Sequence, residues 1–505
     1  MYSSVKKILS FWVLCLVSLC LPAQTSFNVL FKNPAHEGIG DICELTDGSV
    51  IGVGGFGSTF FGSIPTQRGK IWKVFPTGDT ITRMYSFADT ASYFGYVDEN
   101  PNGKLTLFGS FVTPPNFISE RILCVVLKQN LDVESYKTIV LHNCTQISVH
   151  QVKKYCNEYY VLGSVTQDDG YNRNFILKVN DNLDTISSAI YPTPVSSMCT
   201  YDDCTFKDGR IYTYLLSSPT HYISGGDMYV YDTNLNYLYY KNYPYQFNYT
   251  TGCMEVQYDH GLTAKWVSDS TFIVGCNHDR HCASTGYHER DVGLSELDTT
   301  MAVKPVHYFG GVDTVDYASY INGSIDFNSP DSILFAGTKN RIIEFLPHQN
   351  SFIMAGMTDR QLQPRFIQYY GGDAYYSTDV MKCSRDGGFI IAASRYDYLT
   401  QNSEYDVLLL KLNPQGLITN TAEPHKIPHN GISLYPNPAN DRLTLVLEAQ
   451  QGELIIYDMM GNTTIVKHVE AGYNYIEVNK LIPGNYICEV ITPDKLKLVQ
   501  QFQKL

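Results

Sequence analysis

Seven copies of one turn-and-strand signature, a Tyr- and Phe-rich composition and a C-terminal run of short alternating strands predict an all-β chain. The expected architecture is a seven-bladed β-propeller followed by a small Ig-like β-sandwich. The 505 residues include 39 Tyr and 24 Phe but only 3 Trp, and aromatic residues favour the pleated surface of a sheet. The 38 Gly and 22 Pro interrupt the chain often, and long helix-period runs of Ala, Glu, Lys and Leu are missing.

The repeat begins with a turn pair and runs into a β-rich segment that often ends in a small residue. Its copies start at Asp47, Asn102, Asn157, Asp208, Asp269, Asp331 and Asp386, so successive starts are 55, 55, 51, 61, 62 and 55 residues apart. Asp47–Gly54 and Asp386–Ala392 show it most plainly, and Asp208–Tyr212 most weakly. Each copy is followed by a second strand and a turn, as in Lys70–Asp79, Phe175–Asp184, Asp227–Asn236 and Asp406–Gly416. Room remains for two more strands before the next copy. Four antiparallel strands at a period near 50 residues read as a propeller blade. Stacked blades bury the two faces that a lone four-stranded sheet leaves wet. Phe27–Lys32 precedes the first copy without a partner and is expected to complete the seventh blade as its outer strand, removing two open sheet edges.

The expected domain plan is a signal peptide at 1–23, the propeller at 24–425, a linker at 426–430 and the terminal sandwich at 431–505. Lys6 and Lys7 precede the apolar stretch Ile8–Leu21, and Ala23 is a small residue suited to a cut before Gln24. That stretch is too short to span a bilayer, and no transmembrane segment is expected in the mature chain. The formal charge of −13 makes nucleic acid a poor partner. Of 13 cysteines, Cys15 and Cys20 leave with the signal peptide and Cys488 lies in the terminal domain. An even number remains, which suits disulfides in an oxidising compartment. Cys199–Cys204 and Cys276–Cys282 are spaced to close local hairpins.

The last 75 residues carry Tyr435-Pro436-Asn437-Pro438, then Asp458 with Gly461 after a β run, then Leu481, Gly484 and Tyr486. In that order, at the C-terminus, these resemble the C-terminal sorting domain of the type IX secretion system of Bacteroidetes. The resemblance implies recognition by the outer-membrane translocon, cleavage within residues 422–431, and release or attachment at the cell surface after Sec export through the periplasm. The repeats themselves, best at residues 386–416, resemble those of secreted bacterial β-propellers. That likeness specifies a fold better than a function.

No nucleophile-elbow, zinc-protease or P-loop motif is present. Cys276, His278, His281 and Cys282 are residue types that ligate zinc, but their spacing is not that of a known zinc module. The compartment points instead to a disulfide-closed loop between Cys276 and Cys282 at the rim of the fifth repeat, and no metal or cofactor is expected. Tyrosines cluster at 229–249 and 369–376, where ring faces could stack on sugars, although Tyr is also an ordinary strand residue. These features favour an exported, non-catalytic protein that binds a glycan or another protein. The alternative is a secreted hydrolase or lyase acting on glycan or glycoprotein, with carboxylates drawn from different repeats. Two such groups about 5–10 Å apart at the propeller mouth would mark the enzyme.

Overall fold

The structure is a computed structural model. It describes residues 26–504 except 34, 58–67, 88–90, 114–117, 192–199, 221–222, 244–245, 249–252, 283–286, 301–304, 312–313, 320, 343–345, 401–403, 419–431, 436–438, 459–460 and 494–496. Every described regular element is a β-strand, and all strand pairs are antiparallel. The strands form eight sheets of four or five strands. Seven of them follow one another along residues 36–85, 91–139, 144–190, 200–243, 246–309, 317–371 and 375–412, each built mostly from sequential hairpins.

The seven sheets are joined by shared apolar cores. Phe94, Val97 and Leu107 of the second sheet pack with Ile51, Val53 and Ile71 of the first. Equivalent clusters join each later pair, and the series closes on itself. Val380, Ile390 and Leu409 of the seventh sheet pack with Ile39, Ile42, Val50 and Trp72 of the first. A sheet with a neighbour on each face has no polar face, so its strands read as continuous apolar runs rather than alternating ones. Asp406–Leu412 is buried at every position, whereas the outer strand Thr80–Tyr85 is exposed at all but its last. Phe27–Phe31 pairs with Asp406–Leu412, Phe27 opposite Lys411 and Phe31 opposite Val407. The N-terminal strand is therefore the edge of the last sheet, as the unpartnered sequence suggested.

Where a strand edges a sheet, its outward amides have no ladder partner. Aspartates supplied by neighbouring sheets fill that need. Asp41 accepts the Val97 N–H of the second sheet at 3.1 Å and forms an ion pair with the Lys382 ammonium of the seventh at 2.7 Å. Asp203 accepts the Ala264 N–H of the fifth sheet at 3.0 Å and the Lys153 ammonium of the third at 2.9 Å. Asp326 accepts the Cys383 N–H of the seventh at 2.8 Å and the Lys265 ammonium of the fifth at 2.6 Å. Lys154 spans the remaining boundary to Asp98 at 3.1 Å and Asn100 at 2.8 Å. Burial works against the charge of Lys153, but Asp203 more than offsets this and holds the ammonium above its ordinary range.

The turn ends repeat as closely. At Asp47-Gly48 the glycine has φ +80° and the Asp47 carboxylate accepts the Ser49 N–H at 2.8 Å. Between third and fourth strands, Leu131, Leu183, Leu235 and Leu362 all adopt positive φ, which costs a residue with a Cβ roughly 1–2 kcal/mol. All four leucines are buried, so the packing of the side chain offsets the strain. Asx caps help: Asn180 Oδ1 accepts the N–H groups of Asn182 and Asp184, each at 2.9 Å.

The eighth sheet comprises Ile432–Tyr435, Arg442–Asp458, Thr463–Glu477, Gly484–Ile491 and Lys497–Lys504. The described residues form five strands in this domain. The two long strands carry a register shift between Leu447 and Gln451 and pair on both sides of it without breaking. A core of Leu443, Leu445, Leu454, Ile456, Tyr486, Cys488 and Phe502 lies within it.

Replacing Asp41 by Ala would strand a buried N–H on Val97 and the Lys382 ammonium together. The expected loss is about 2–4 kcal/mol, reduced from the fully buried case because Lys382 keeps part of its hydration. Chemical denaturation of the two proteins checks it; an unchanged midpoint would show that the shared carboxylate does not hold the sheets together.

Candidate functional site

Antiparallel succession places the repeated Asp-Gly turns and the third-to-fourth turns at one end of the seven sheets. The second-to-third loops and the connections between sheets lie at the other. The sequence signature therefore marks the structural end, and the varied loops make up the opposite one.

Five of the first strands share an irregularity. One residue drops out of register at Gly40, Gly95, His150, Asp202 and Asp379. A bulge of this kind re-aims a side chain and increases local twist. At two of the positions the bulged residue is titratable and described in full. His150 contacts the Ser164 hydroxyl through Nε2 at 3.1 Å, and burial pushes its pKa down to about 4. Its imidazole is thus neutral at physiological pH. The Asp379 carboxyl is buried and accepts the Ser394 hydroxyl at 2.5 Å. Burial pushes its pKa up to about 6, against the opposing pull of Ser394 and of the Arg341 charge.

Polar contacts also join sheets that are not neighbours in the chain. The Asp379 carbonyl accepts the N–H of Ile321 at 2.9 Å and of Asn322 at 3.2 Å. The Asn322 side-chain amide donates to Gln151 Oε1 at 3.3 Å, and Gln151 donates to Asp203 at 3.1 Å. The seventh, sixth, third and fourth sheets are thereby joined through one line of hydrogen bonds.

Further ionisable groups stand towards the loop end of the last sheets and the first. The guanidinium groups of Arg290 and Arg341 lie 4.5 and 4.4 Å from the Tyr317 ring centroid, and Arg290 donates to its hydroxyl. The Tyr375 hydroxyl donates to the Ile342 carbonyl at 2.9 Å. His36 stacks on Tyr405 at 5.9 Å, and Glu37 receives Lys70 and Trp72. Arg395 holds Asp373 at 2.9 Å and Tyr376 at 3.1 Å. Burial raises the pKa of Glu37 and Asp316. These groups are mostly buried and hold one another in place beneath the loops of that end. On the ring's outer side, Tyr229 lies 5.5 Å from Tyr240 and 6.4 Å from Tyr237, both of them half exposed.

The residues singled out from sequence fall elsewhere. Cys276, His278, His281 and Cys282 all lie on one continuous strand, Thr271–Cys282, paired throughout with Tyr287–Asp298. This corrects the disulfide-closed loop. Six residues of extended chain separate Cys276 from Cys282 by about 20 Å, whereas a disulfide needs Cα atoms within about 7 Å. The same separation keeps the two cysteines from sharing one zinc ion, whose sulfur ligands lie at about 2.3 Å. His278 is buried against the Tyr308 ring at 4.2 Å. Among the described residues, no group of three or more His, Cys, Asp and Glu side chains is placed to hold a metal. Cys199, the cut at Ala23 and Gln24, the cleavage stretch 422–431 and Pro436, Asn437 and Pro438 lie outside the described residues.

The C-terminal motif residues have structural tasks. Tyr435 ends the first strand of the eighth sheet, opposite Thr444. Asp458 caps a turn by accepting the Asn462 N–H at 2.9 Å, with Gly461 at φ +82°. Leu481 packs against the core, and Gly484, at φ +158°, opens the strand that carries Tyr486. The buried Tyr486 stacks on Phe502 at 5.5 Å and donates to the Ile482 carbonyl at 2.8 Å.

Because an acid with a raised folded-state pKa favours folding in its neutral form, Asp379 contributes most below its unfolded value near 4. That contribution falls as pH rises from about 4 through about 6. Asp379→Asn is expected to gain stability over the parent across that interval, by on the order of 2–3 kcal/mol at neutral pH. Urea titrations between pH 4 and 8 check it; a difference independent of pH would mean the carboxyl is not held neutral.

No curated protein matches this chain. Solved structures with related outlines include a fungal AA5-family alcohol oxidase in complex with copper, at 9% identity, 95% of this chain, 100% of that one and a TM-score of 0.42. A PL25 ulvan lyase matches at 10% identity over 73% of this chain and 93% of the other, with a TM-score of 0.44. The subtype N11 neuraminidase-like protein of A/flat-faced bat/Peru/033/2010 matches at 13% identity over 61% and 84%, with a TM-score of 0.35. At these scores no site is transferable. Residues 433–504 match the secretion system C-terminal sorting domain family, which supports a secreted protein that is a substrate of the type IX secretion machinery.

Proposed function

We propose that the seven consecutive sheets form a seven-bladed β-propeller closed by Phe27–Phe31, and that residues 431–505 are an Ig-like sandwich serving as a removable address. The chain enters the periplasm through a signal peptide at 1–23, folds there, and is passed to the outside by the type IX translocon. Released or held at the cell surface of a member of the Bacteroidetes, it binds a glycan or a protein through the loop end of the propeller. The observation that carries export is the family match at 433–504. The binding reading is supported by the ring closure and by the arginines, tyrosines and acids gathered towards one end.

A second reading is favoured by one observation. The Asp379 carboxyl sits at a bulge on a first strand beside the Ser394 hydroxyl, and burial raises its pKa to about 6, close enough to neutrality for proton transfer. It supports a secreted hydrolase or lyase acting on glycan or glycoprotein.

Two experiments test these readings. Removing residues 431–505 should leave a soluble, cooperatively folding protein that accumulates in the periplasm; its appearance at the surface would overturn the address role. Purified full-length protein on a glycan array, with reducing-end and unsaturated-product assays in parallel, separates binder from enzyme. Retention of a glycan without turnover, weakened at least tenfold by Arg341→Ala, supports the binder. Turnover abolished by Asp379→Asn supports the enzyme.

A further inference from the structure

We propose that Cys253 and Cys282 form a disulfide that staples the outer end of the hairpin between Cys253–Trp266 and Thr271–Cys282. The backbone register carries the inference. Near the turn the ladder is regular, from Trp266 opposite Phe272 to Thr263 opposite Gly275. It then shifts twice, once between Thr263 and Asp259 and again between Asp259 and Val256. It resumes as Val256–Asp279, Glu255–Arg280, Met254–His281 and Cys253–Cys282. The last pair places two cysteines directly opposite one another. Cα atoms of opposed residues in an antiparallel pair are about 4.5–5.5 Å apart, inside the window of about 4.4–6.8 Å for a disulfide.

No other cysteine with a register partner among the described strands faces a cysteine. Cys43 is opposite Ile51, Cys204 opposite Thr213, Cys276 opposite Gly293 and Cys383 opposite Phe389. The position also suits a staple, because the two shifts separate the four outer pairs from the regular part of the ladder. The neighbouring strand continues the same register, with Asp279 opposite Arg290, so the link steadies the hairpin that carries Arg290 to Tyr317.

The chemistry is thiol–disulfide exchange. The thiolate of one cysteine attacks a disulfide of an oxidising dithiol protein of the export compartment and releases one of its sulfurs as thiol. The second cysteine, as thiolate, then attacks the mixed disulfide and releases the other. The chain loses two protons and two electrons, and the oxidant's disulfide becomes two thiols. Export through an oxidising compartment lets the bond persist.

Trypsin separates the relevant cysteines, since Cys253 falls in peptide 242–265, Cys276 in 266–280 and Cys282 in 281–290. Full-length protein purified after export is treated with iodoacetamide under native and denaturing conditions without reductant, then mapped. The expected result is peptide 242–265 linked to 281–290, lighter than the two separate thiol peptides by two hydrogens, with both freed by reductant. Cys282→Ser should make Cys253 alkylatable, whereas Cys276→Ser should leave the link intact. Alkylation of Cys253 and Cys282 in the denatured, unreduced parent chain would overturn the proposal, as would a link from either to any other cysteine.

Discussion

Carboxylates shared across sheet boundaries are the constraint on which the rest of the structure depends. A strand at the edge of a sheet has amides without a ladder partner, and where they are buried they must be satisfied by other groups. Asp41, Asp203 and Asp326 each take an N–H from the following sheet and an ammonium from the preceding one. With Lys154 on Asp98, all seven boundaries acquire a directional, charge-assisted contact. Apolar packing between sheets is strong but tolerant of sliding. These contacts fix how one sheet is offset from the next, and so where the loops of neighbouring sheets meet.

That offset sets the geometry of the candidate site. Five first strands carry a bulge at a comparable place, and the residue occupying it varies from Gly to His to Asp. Where it is Gly40 or Gly95 the bulge brings no functional side chain. Where it is His150 or Asp379 it introduces a titratable group into surroundings dry enough to displace its pKa. The regular scaffold thus admits variation at the bulges of the first strands and in the loops at one end, while the turns at the other end keep to Asp or Asn at the start of the signature.

The repeat was legible because its turns are chemically demanding. A glycine at positive φ beside a capping carboxylate leaves a short, recurrent trace at Asp47-Gly48 and Asp386-Gly387. The unpartnered Phe27–Phe31 was legible for a related reason, since a β-rich segment without a hairpin partner must pair elsewhere. The buried aspartates were not legible. Asp41 and Asp203 sit among ordinary strand residues, and their partners lie 56 and 61 residues away along the chain. Cys276 and Cys282 misled because nearness in sequence implies nearness in space only across a turn, and the intervening segment is extended strand.

The sequence by itself determined the all-β character, the period of the repeat, the pairing need of the N-terminal strand and the motif order of the terminal domain. Each of these is written in local chemistry: turn residues, β-branched and aromatic runs, and caps a few residues apart. Only the tertiary structure decided which acids are shared between sheets, which bulged residues become titratable groups in the ring, and which cysteines face one another. Those properties arise from register and from contacts between segments distant in sequence, where a one-residue shift changes the neighbour of every side chain.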